Sequence, residues 1–142
     1  MITLLIVADD FTGALDTGVQ LAGCGAPTRV VTDPDFSPAD AEGAEVLVID
    51  AETRHLSPSQ AGAIVEGIVR RAVEQKVPYI YKKTDSALRG NVGAELGALL
   101  AASGEKALPF LPAYPQIDRC TRGGVHYIEG RPVAESVFGI DP

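Results

Sequence analysis

The segment KTDSALRG, Lys83 to Gly90, carries more functional groups than a connecting turn requires. It follows the apolar run VPYIY, Val77 to Tyr81, which is typical of a buried strand. A turn after such a strand needs only a glycine or a small polar residue. Lys83 and Arg89 instead add two cations, and an arginine beside a glycine is suited to hold a carboxylate or phosphate through paired hydrogen bonds. The segment therefore predicts an anion site, to which it also brings Thr84, Asp85 and Ser86.

A second set of groups is the adjacent pair Asp9 and Asp10, which follows the apolar run Ile2 to Ala8. One aspartate at this place can cap a helix, and capping alone is the structural alternative for the pair. Two neighbouring carboxylates repel each other unless a cation or hydroxyl donors stabilise them. The pair therefore indicates a nearby cation or hydroxyl donors, beyond what a single helix cap needs.

A third set lies in PAYPQIDRCTRGG, Pro112 to Gly124, where prolines stiffen a loop that presents Arg119. Asp50 ends a further apolar run and is read equally well as a turn residue or as part of a site. Lys82 is read as a solvated charge at a strand end. His55 and His126 have no partners at metal-ligand spacing, and both are interpreted as structural.

Alternating apolar runs and amphipathic segments must position these groups. The pattern predicts five strands, at Ile2–Ala8, Thr28–Thr32, Glu45–Asp50, Tyr79–Lys82 and Ala107–Phe110. It predicts three helices, over Phe11–Ala22, after the N-cap sequence Ser57-Pro58-Ser59-Gln60, and over Asn91–Ala102. This order predicts a three-layer α/β fold, a mainly parallel sheet flanked by helices. The segment Val125–Ser136 predicts a β-hairpin extension that turns at Glu129-Gly130.

Ligands of open parallel sheets bind beyond the carboxyl ends of the strands. Each set of polar residues follows a predicted strand, so we expect all of them to meet in one crevice. This convergence is a stronger indication of a site than any single residue.

Composition limits the class of partner. A chain of 142 residues is long enough for one domain with a core, and its net charge of −7 argues against nucleic acid or an anionic membrane as the main partner. Cys24 and Cys120 lack metal-ligand spacing, and the first residues lack a basic leader, so we expect a cytoplasmic protein with free thiols and no metal site. Neither a Walker loop nor a G-x-G-x-x-G motif occurs, so no nucleotide site is predicted in this chain.

Three motifs in order identify a family resemblance: IVADDFTGALDTG, KKTDSALRGNVGAEL and LPAYPQIDRCTRGGVHYIEGRPVAESVFGIDP. Together they resemble the N-terminal sugar-binding domain of the four-carbon acid sugar kinases, long described as a domain of unknown function. The resemblance implies that residues 1–142 form a sugar-acid-binding domain and that a C-terminal nucleotide-binding domain lies outside this chain. The chain has Ala87, Asp118 and Cys120 where the family usually has threonine, glycine and threonine.

The resemblance also implies an activity, the ATP-dependent phosphorylation of an acid such as threonate or erythronate. Asp9 and Asp10 would be catalytic, and the implied substrate-binding residues are Asp9, Asp10, Lys83, Thr84, Asp85, Ser86, Arg89, Arg119 and Thr121. Lys83 and Arg89 would hold the carboxylate. ATP and Mg²⁺ would bind mainly in the C-terminal domain, so we expect this chain alone to be inactive. The hairpin surface would meet that domain or another copy of the chain.

Two other functions remain open at this point. A phosphoacceptor receiver domain also has paired aspartates after its first strand and an aspartate after its third, here Asp50. It needs a lysine after its fifth strand, which ALPFLPAYP does not provide. The other alternative is a nonenzymatic ligand-binding or regulatory module of the same fold.

Overall fold

A four-stranded parallel sheet forms the centre of the molecule in the computed structural model, which describes residues 1–140. Its strands are β1 (Leu4–Ala8), β2 (Thr28–Val31), β3 (Val46–Asp50) and β4 (Tyr79–Lys83). The strand order is β2-β3-β1-β4, and every neighbouring pair is parallel. The predicted α/β class is therefore confirmed, and the central strands β1 and β3 are nearly continuous apolar runs because both of their faces are buried.

Helices cover both faces of the sheet, which gives the three predicted layers. Helix α1 (Phe11–Gly23) packs on one face, whereas α2 (Pro58–Glu74) and α3 (Val92–Ser103) contact each other on the other side. Alternate residues of β1 enter the two cores: Leu5 and Val7 face one side, and Ile6 and Ala8 face the other. Among residues 1–140, no helix combines the length and apolarity that crossing a bilayer requires.

The helix starts follow the local sequence. Ser57 accepts a hydrogen bond from the backbone of Gln60, and the Gln60 side chain accepts one from the backbone of Ser57, which completes the predicted capping box. Asp10 caps α1 by accepting from the backbone of Gly13 at 2.8 Å. Asp10 therefore both caps a helix and stands at the carboxyl end of the sheet.

The predicted fifth strand, Ala107–Phe110, is wrong: these residues form no strand. The reason lies in ALPFLPAYP, where Pro109, Pro112 and Pro115 lack the backbone N–H that a strand ladder needs at regular intervals. Leu108 still packs against the core beside α2 and α3. The segment is therefore anchored by its side chains, and β4 remains the edge of the parallel sheet.

A small antiparallel sheet follows, and it contains more than the predicted hairpin. Its strands are β5 (Arg119–Arg122), β6 (Val125–Ile128) and β7 (Arg131–Pro132), in the order β5-β6-β7. The turn at Glu129-Gly130 is confirmed, and both of its residues have positive φ, 50° and 77°. The hairpin ends at Pro132 and not at Ser136, because a 3-10 turn begins at Val133.

The loop predicted over Pro112–Gly124 therefore contains a strand, and Gly123 and Gly124 form its turn to β6. Asp118, which precedes this strand, has a φ of 55°, in the left-handed region that favours glycine. Aspartate tolerates this conformation better than most residues with a side chain. The departure from glycine at residue 118 is thus compatible with the fold.

Candidate functional site

A cavity of about 780 Å³ lies at the carboxyl ends of β1 and β4. Most of the predicted site residues line it: Asp10, Lys83, Thr84, Asp85, Ser86, Arg89 and Arg119. They come from the start of α1, the end of β4 with the loop after it, and the start of β5. One wall is the polar side of α1, including Thr12, Asp16 and Thr17, and another is formed by residues 111–117. The expected convergence of strand ends is confirmed for these groups.

Arg54 joins the two aspartates. Its Nε donates to Asp9 Oδ2 at 2.9 Å, and its Nη1 donates to Asp10 Oδ2 at 2.7 Å. Asp9 is buried and does not line the cavity, whereas Asp10 does. Arg54 follows β3, the strand beside β1, and sequence reasoning gave it no role in the site, although the carboxylate pair requires a cation.

The acidic neighbours of Arg54 determine the direction of its pKa shift. Burial lowers the pKa of Arg54, but the hydrogen bond and charge of Asp9, with the charges of Asp10 and Asp85, outweigh burial and raise the pKa above its usual value. Asp9 Oδ1 is buried and has no hydrogen-bond partner among the residues described. Arg54 therefore stabilises the buried carboxylate of Asp9, and its hydrogen bond to Oδ2 holds the Asp10 side chain in position.

Gly13 allows the start of α1 to approach β4 closely. A Cβ atom added at this position would lie 2.7 Å from Asp10 Oδ1 and 3.2 Å from Lys83 Nζ. The absence of a side chain at Gly13 therefore lets the capping carboxylate and the lysine share this corner of the cavity.

Arg89 forms a two-pronged ion pair with Asp85, four residues earlier in the loop. Nε lies 2.8 Å from Oδ2, and Nη2 lies 3.1 Å from Oδ1. Asp85 also accepts from the backbone of Ala87 and Arg89. Burial raises the pKa of the Asp85 carboxyl, but the hydrogen bonds and charge of Arg89 outweigh burial and hold this pKa below its usual value. Asp85 thus shapes the loop, and the predicted contact of Arg89 with a substrate stays a prediction.

Lys83 and Arg119 are the cavity cations that form no ion pair with a carboxylate of residues 1–140. Lys83 Nζ donates to the Thr84 carbonyl at 2.8 Å, and Arg119 Nη1 donates to Ser86 Oγ at 2.5 Å. Both partners are neutral oxygens, so no carboxylate within residues 1–140 neutralises either positive charge. A cavity with two such cations is suited to hold an anion.

Thr121 lies away from the cavity lining. Its Oγ1 is 2.9 Å from His126 Nδ1, and His126 Nε2 is 2.8 Å from the Ser86 carbonyl oxygen. Because that carbonyl can only accept, His126 Nε2 carries a proton and donates it to the Ser86 carbonyl. His126 is buried and ties the small sheet to the loop after β4, in agreement with its structural interpretation. Substrate binding by Thr121 remains untested.

Lys82 points away from the cavity and into the core. Its Nζ lies 2.7 Å from Glu95 Oε2, and both side chains are 2% exposed. The interpretation of Lys82 as a solvated charge is therefore wrong. Successive residues of a strand face opposite sides of the sheet, so β4 sends Lys82 to α3 and Lys83 to the site.

Asp50 is buried to 1% exposure and does not line the cavity. Burial raises the pKa of this carboxyl to about 6, the backbone hydrogen bond from Glu52 partly offsets burial, and the charges of Glu52 and Asp10 add to the increase. A phosphoacceptor aspartate must be reachable by its phosphate donor. The placement of Asp50 therefore gives no support to a receiver domain.

Comparison with known proteins gives a consistent result. Residues 4–142 match the model of a family described as "Sugar-binding N-terminal domain". A D-threonate kinase of Salmonella typhimurium is 40% identical over 98% of this chain and 33% of its own length. A D-threonate kinase of Bordetella bronchiseptica is 41% identical over 96% of this chain and 35% of its own length.

A solved structure shares the fold. It is a protein of Bordetella bronchiseptica described as a domain of unknown function, with bound citrate and as a domain-swapped dimer. The TM-score is 0.92 at 39% identity, over 99% of this chain and 37% of the other chain. The chain thus spans about a third of the length of the curated relatives it matches.

Proposed function

The chain belongs to the family of sugar-binding N-terminal domains, and on that premise we propose that it holds the substrate of an ATP-dependent kinase acting on four-carbon sugar acids. The kinase names of its relatives support this proposal, as does the citrate bound by the solved relative, because citrate presents both carboxylate and hydroxyl groups. The substrate would be a threonate or erythronate type of acid.

The observation that carries the proposal is the pairing of two opposite chemistries in one cavity. Lys83 and Arg119 supply positive charge that no carboxylate of residues 1–140 neutralises, and Asp10 supplies a carboxylate at the end of β1. A sugar acid has a carboxylate at one end and hydroxyl groups along its length. We assign Lys83 and Arg119 to the carboxylate, with Arg89, Thr84 and Ser86 beside it, and Asp10 to the hydroxyl groups.

Asp10 is the carboxylate placed to act as a base. The substrate hydroxyl oxygen would form a bond to the terminal phosphorus of ATP, its proton would pass to Asp10, and the bond between that phosphorus and the ADP oxygen would break. Asp9 would act through Arg54 as a positioning residue, since it is buried behind the cavity. Holding the hydroxyl in line is the main contribution that such a domain can make to phosphoryl transfer.

ATP and Mg²⁺ are proposed to bind in a second, nucleotide-binding domain. Within residues 1–140, no group of three His, Cys, Asp or Glu side chains is arranged to hold a metal ion. The roles assigned here concern the sugar acid alone.

The test is turnover of D-threonate and D-erythronate with ATP by the protein that combines this chain with its nucleotide-binding domain. Asp10→Asn keeps a capping oxygen but removes the base, so we expect kcat to fall by about 10²-fold or more with a smaller change in KM. Asp40→Asn, at an exposed aspartate outside the cavity, is the matched control and should match the unmodified protein.

Near-normal kcat in Asp10→Asn would remove Asp10 from the catalytic role. Phosphorylation of neither acid by the unmodified protein would contradict the proposed substrate class. Robust turnover by the 142-residue chain alone would show that the nucleotide site lies in this domain.

We also propose that the surface beside the small sheet meets the nucleotide-binding domain or a second copy of the chain. An apolar cavity of about 690 Å³ lies there, between residues 110–113 and strands β6 and β7. The solved relative is described as a domain-swapped dimer, which supports a homo-oligomer. Light scattering on the purified protein would test the oligomer, and a monomer at all concentrations would count against it.

A further inference from the structure

Phe138 lies between the two arginines of the anion site. Its ring centroid is 5.4 Å from Cζ of Arg89 and 5.4 Å from Cζ of Arg119. Distances within about 6 Å favour attraction between a guanidinium and an aromatic ring. Arg89 belongs to the loop after β4 and Arg119 begins β5, so one side chain touches cations from two separate parts of the site.

The chain around Phe138 is wound tightly enough to fix the ring. Ser136 Oγ donates to the Val133 carbonyl at 2.7 Å and accepts from the Phe138 backbone at 3.2 Å. A Cβ atom added at Gly139 would overlap the carbonyl group of Ala134, so this turn requires glycine. The backbone of Gly139 also donates to the Ser136 carbonyl at 3.0 Å. Phe138 is therefore held by a compact turn that has its own hydrogen bonds.

Polar contacts alone leave these two cations differently restrained. Arg89 forms an ion pair with Asp85, whereas the Arg119 side chain donates a hydrogen bond to a neutral hydroxyl, Ser86 Oγ. A ring against both guanidinium groups limits their rotation and keeps water from that side. Long, flexible cations bind anions better when they are held in place before binding.

We propose that Phe138 is a positioning residue of the anion site and that it orders Arg89 and Arg119 for a carboxylate ligand through ring–guanidinium contacts. The inference rests on the proposed sugar-acid site and adds to it a residue that does not line the cavity. It predicts that the aromatic character of residue 138 matters, beyond its apolar volume.

The experiment is titration of the 142-residue chain with D-threonate, with citrate as a second probe. Phe138→Tyr keeps the aromatic face and should bind like the unmodified chain. Phe138→Leu keeps apolar bulk without the ring and should bind roughly three- to tenfold more weakly, as should Phe138→Ala. Side-chain NMR resonances of Arg89 and Arg119 should shift in both weakened variants, because the ring current is lost.

Val137→Ala is the matched control. Val137 lies in the same segment, is 80% exposed and takes no part in the two ring–guanidinium contacts. Its affinity should be unchanged. Unaltered affinity in Phe138→Leu would overturn the inference, whatever the result for Phe138→Ala, and so would an equal loss in Val137→Ala. If the unmodified chain binds neither probe, the proposed function itself fails, which separates the two results.

Discussion

Arg54 shows how one side chain can decide the character of a site. Its guanidinium group donates hydrogen bonds to both Asp9 and Asp10. Without Arg54, the buried Asp9 would lose its ion-pair partner. Arg54→Met should therefore lower the free energy of unfolding by about 3–5 kcal/mol, the usual cost of breaking a buried ion pair. Urea denaturation measures this change, and the double variant Asp9→Asn/Arg54→Met should recover part of it. A loss below about 1 kcal/mol would mean that water already stabilises the aspartates.

Asp50 gives a prediction about pH. Burial raises its pKa to about 6 in the folded chain, so the folded state holds this proton more tightly than the unfolded state. The free energy of unfolding should therefore fall as pH rises from about 4 to about 6, with up to about 3 kcal/mol from this group. In Asp50→Asn that contribution should vanish, whereas exposed Asp40→Asn should keep it. Identical pH slopes in the Asp50 variant and the unmodified chain would contradict the assignment.

At the scale of elements, a buried ion pair joins β4 to α3. Lys82→Met leaves Glu95 in the core without its ion-pair partner and should cost about 3–5 kcal/mol, whereas Lys82→Met/Glu95→Leu should return to near or above the original stability. Urea denaturation compares the variants, with the exposed Lys106→Met as control. If the single variant matches the control, the pair does not hold the two elements together.

The same scale shows what sequence patterns can and cannot predict. Strands β1 to β4 and the three helices were predictable, because apolar periodicity and caps such as Ser57 are local signals. The segment Ala107–Phe110 is apolar enough for a strand, but Pro109 within it lacks a backbone N–H, and Pro112 and Pro115 prevent a regular ladder from continuing after it. Strand β5 was missed because RCTR has no apolar alternation, and its pairing with β6 depends on the fold.

For the whole molecule, convergence of strand ends was predictable and the pairing of charges was not. Parallel topology brings Asp10, Lys83 and Arg119 to one cavity, as their positions after strands suggested. Which cation neutralises which carboxylate depends on side chains from distant segments. Arg54 and Asp9 are 45 residues apart in sequence, and a single chain without its fold does not reveal that contact.

The isolated chain should fold and bind a sugar acid, since two clusters of buried apolar residues pack against its sheet within residues 1–140. Binding should be weaker than in the protein with its second domain, because closure of two domains around a substrate adds contacts. Hydrogen exchange should show the loop after β4 protected by ligand in the isolated chain. Protection confined to other segments would place the ligand elsewhere.

The most direct test of the central claim is a calorimetric titration of the 142-residue chain with D-threonate and D-erythronate. We expect saturable binding of at least one acid, and Lys83→Gln and Arg119→Gln should each weaken it about tenfold or more, because each removes a charge-assisted contact to the carboxylate. The exposed Lys106→Gln removes the same charge away from the cavity and should leave the affinity unchanged. Absence of binding, or equal affinity in all three variants, would contradict the assignment of this cavity as a sugar-acid site.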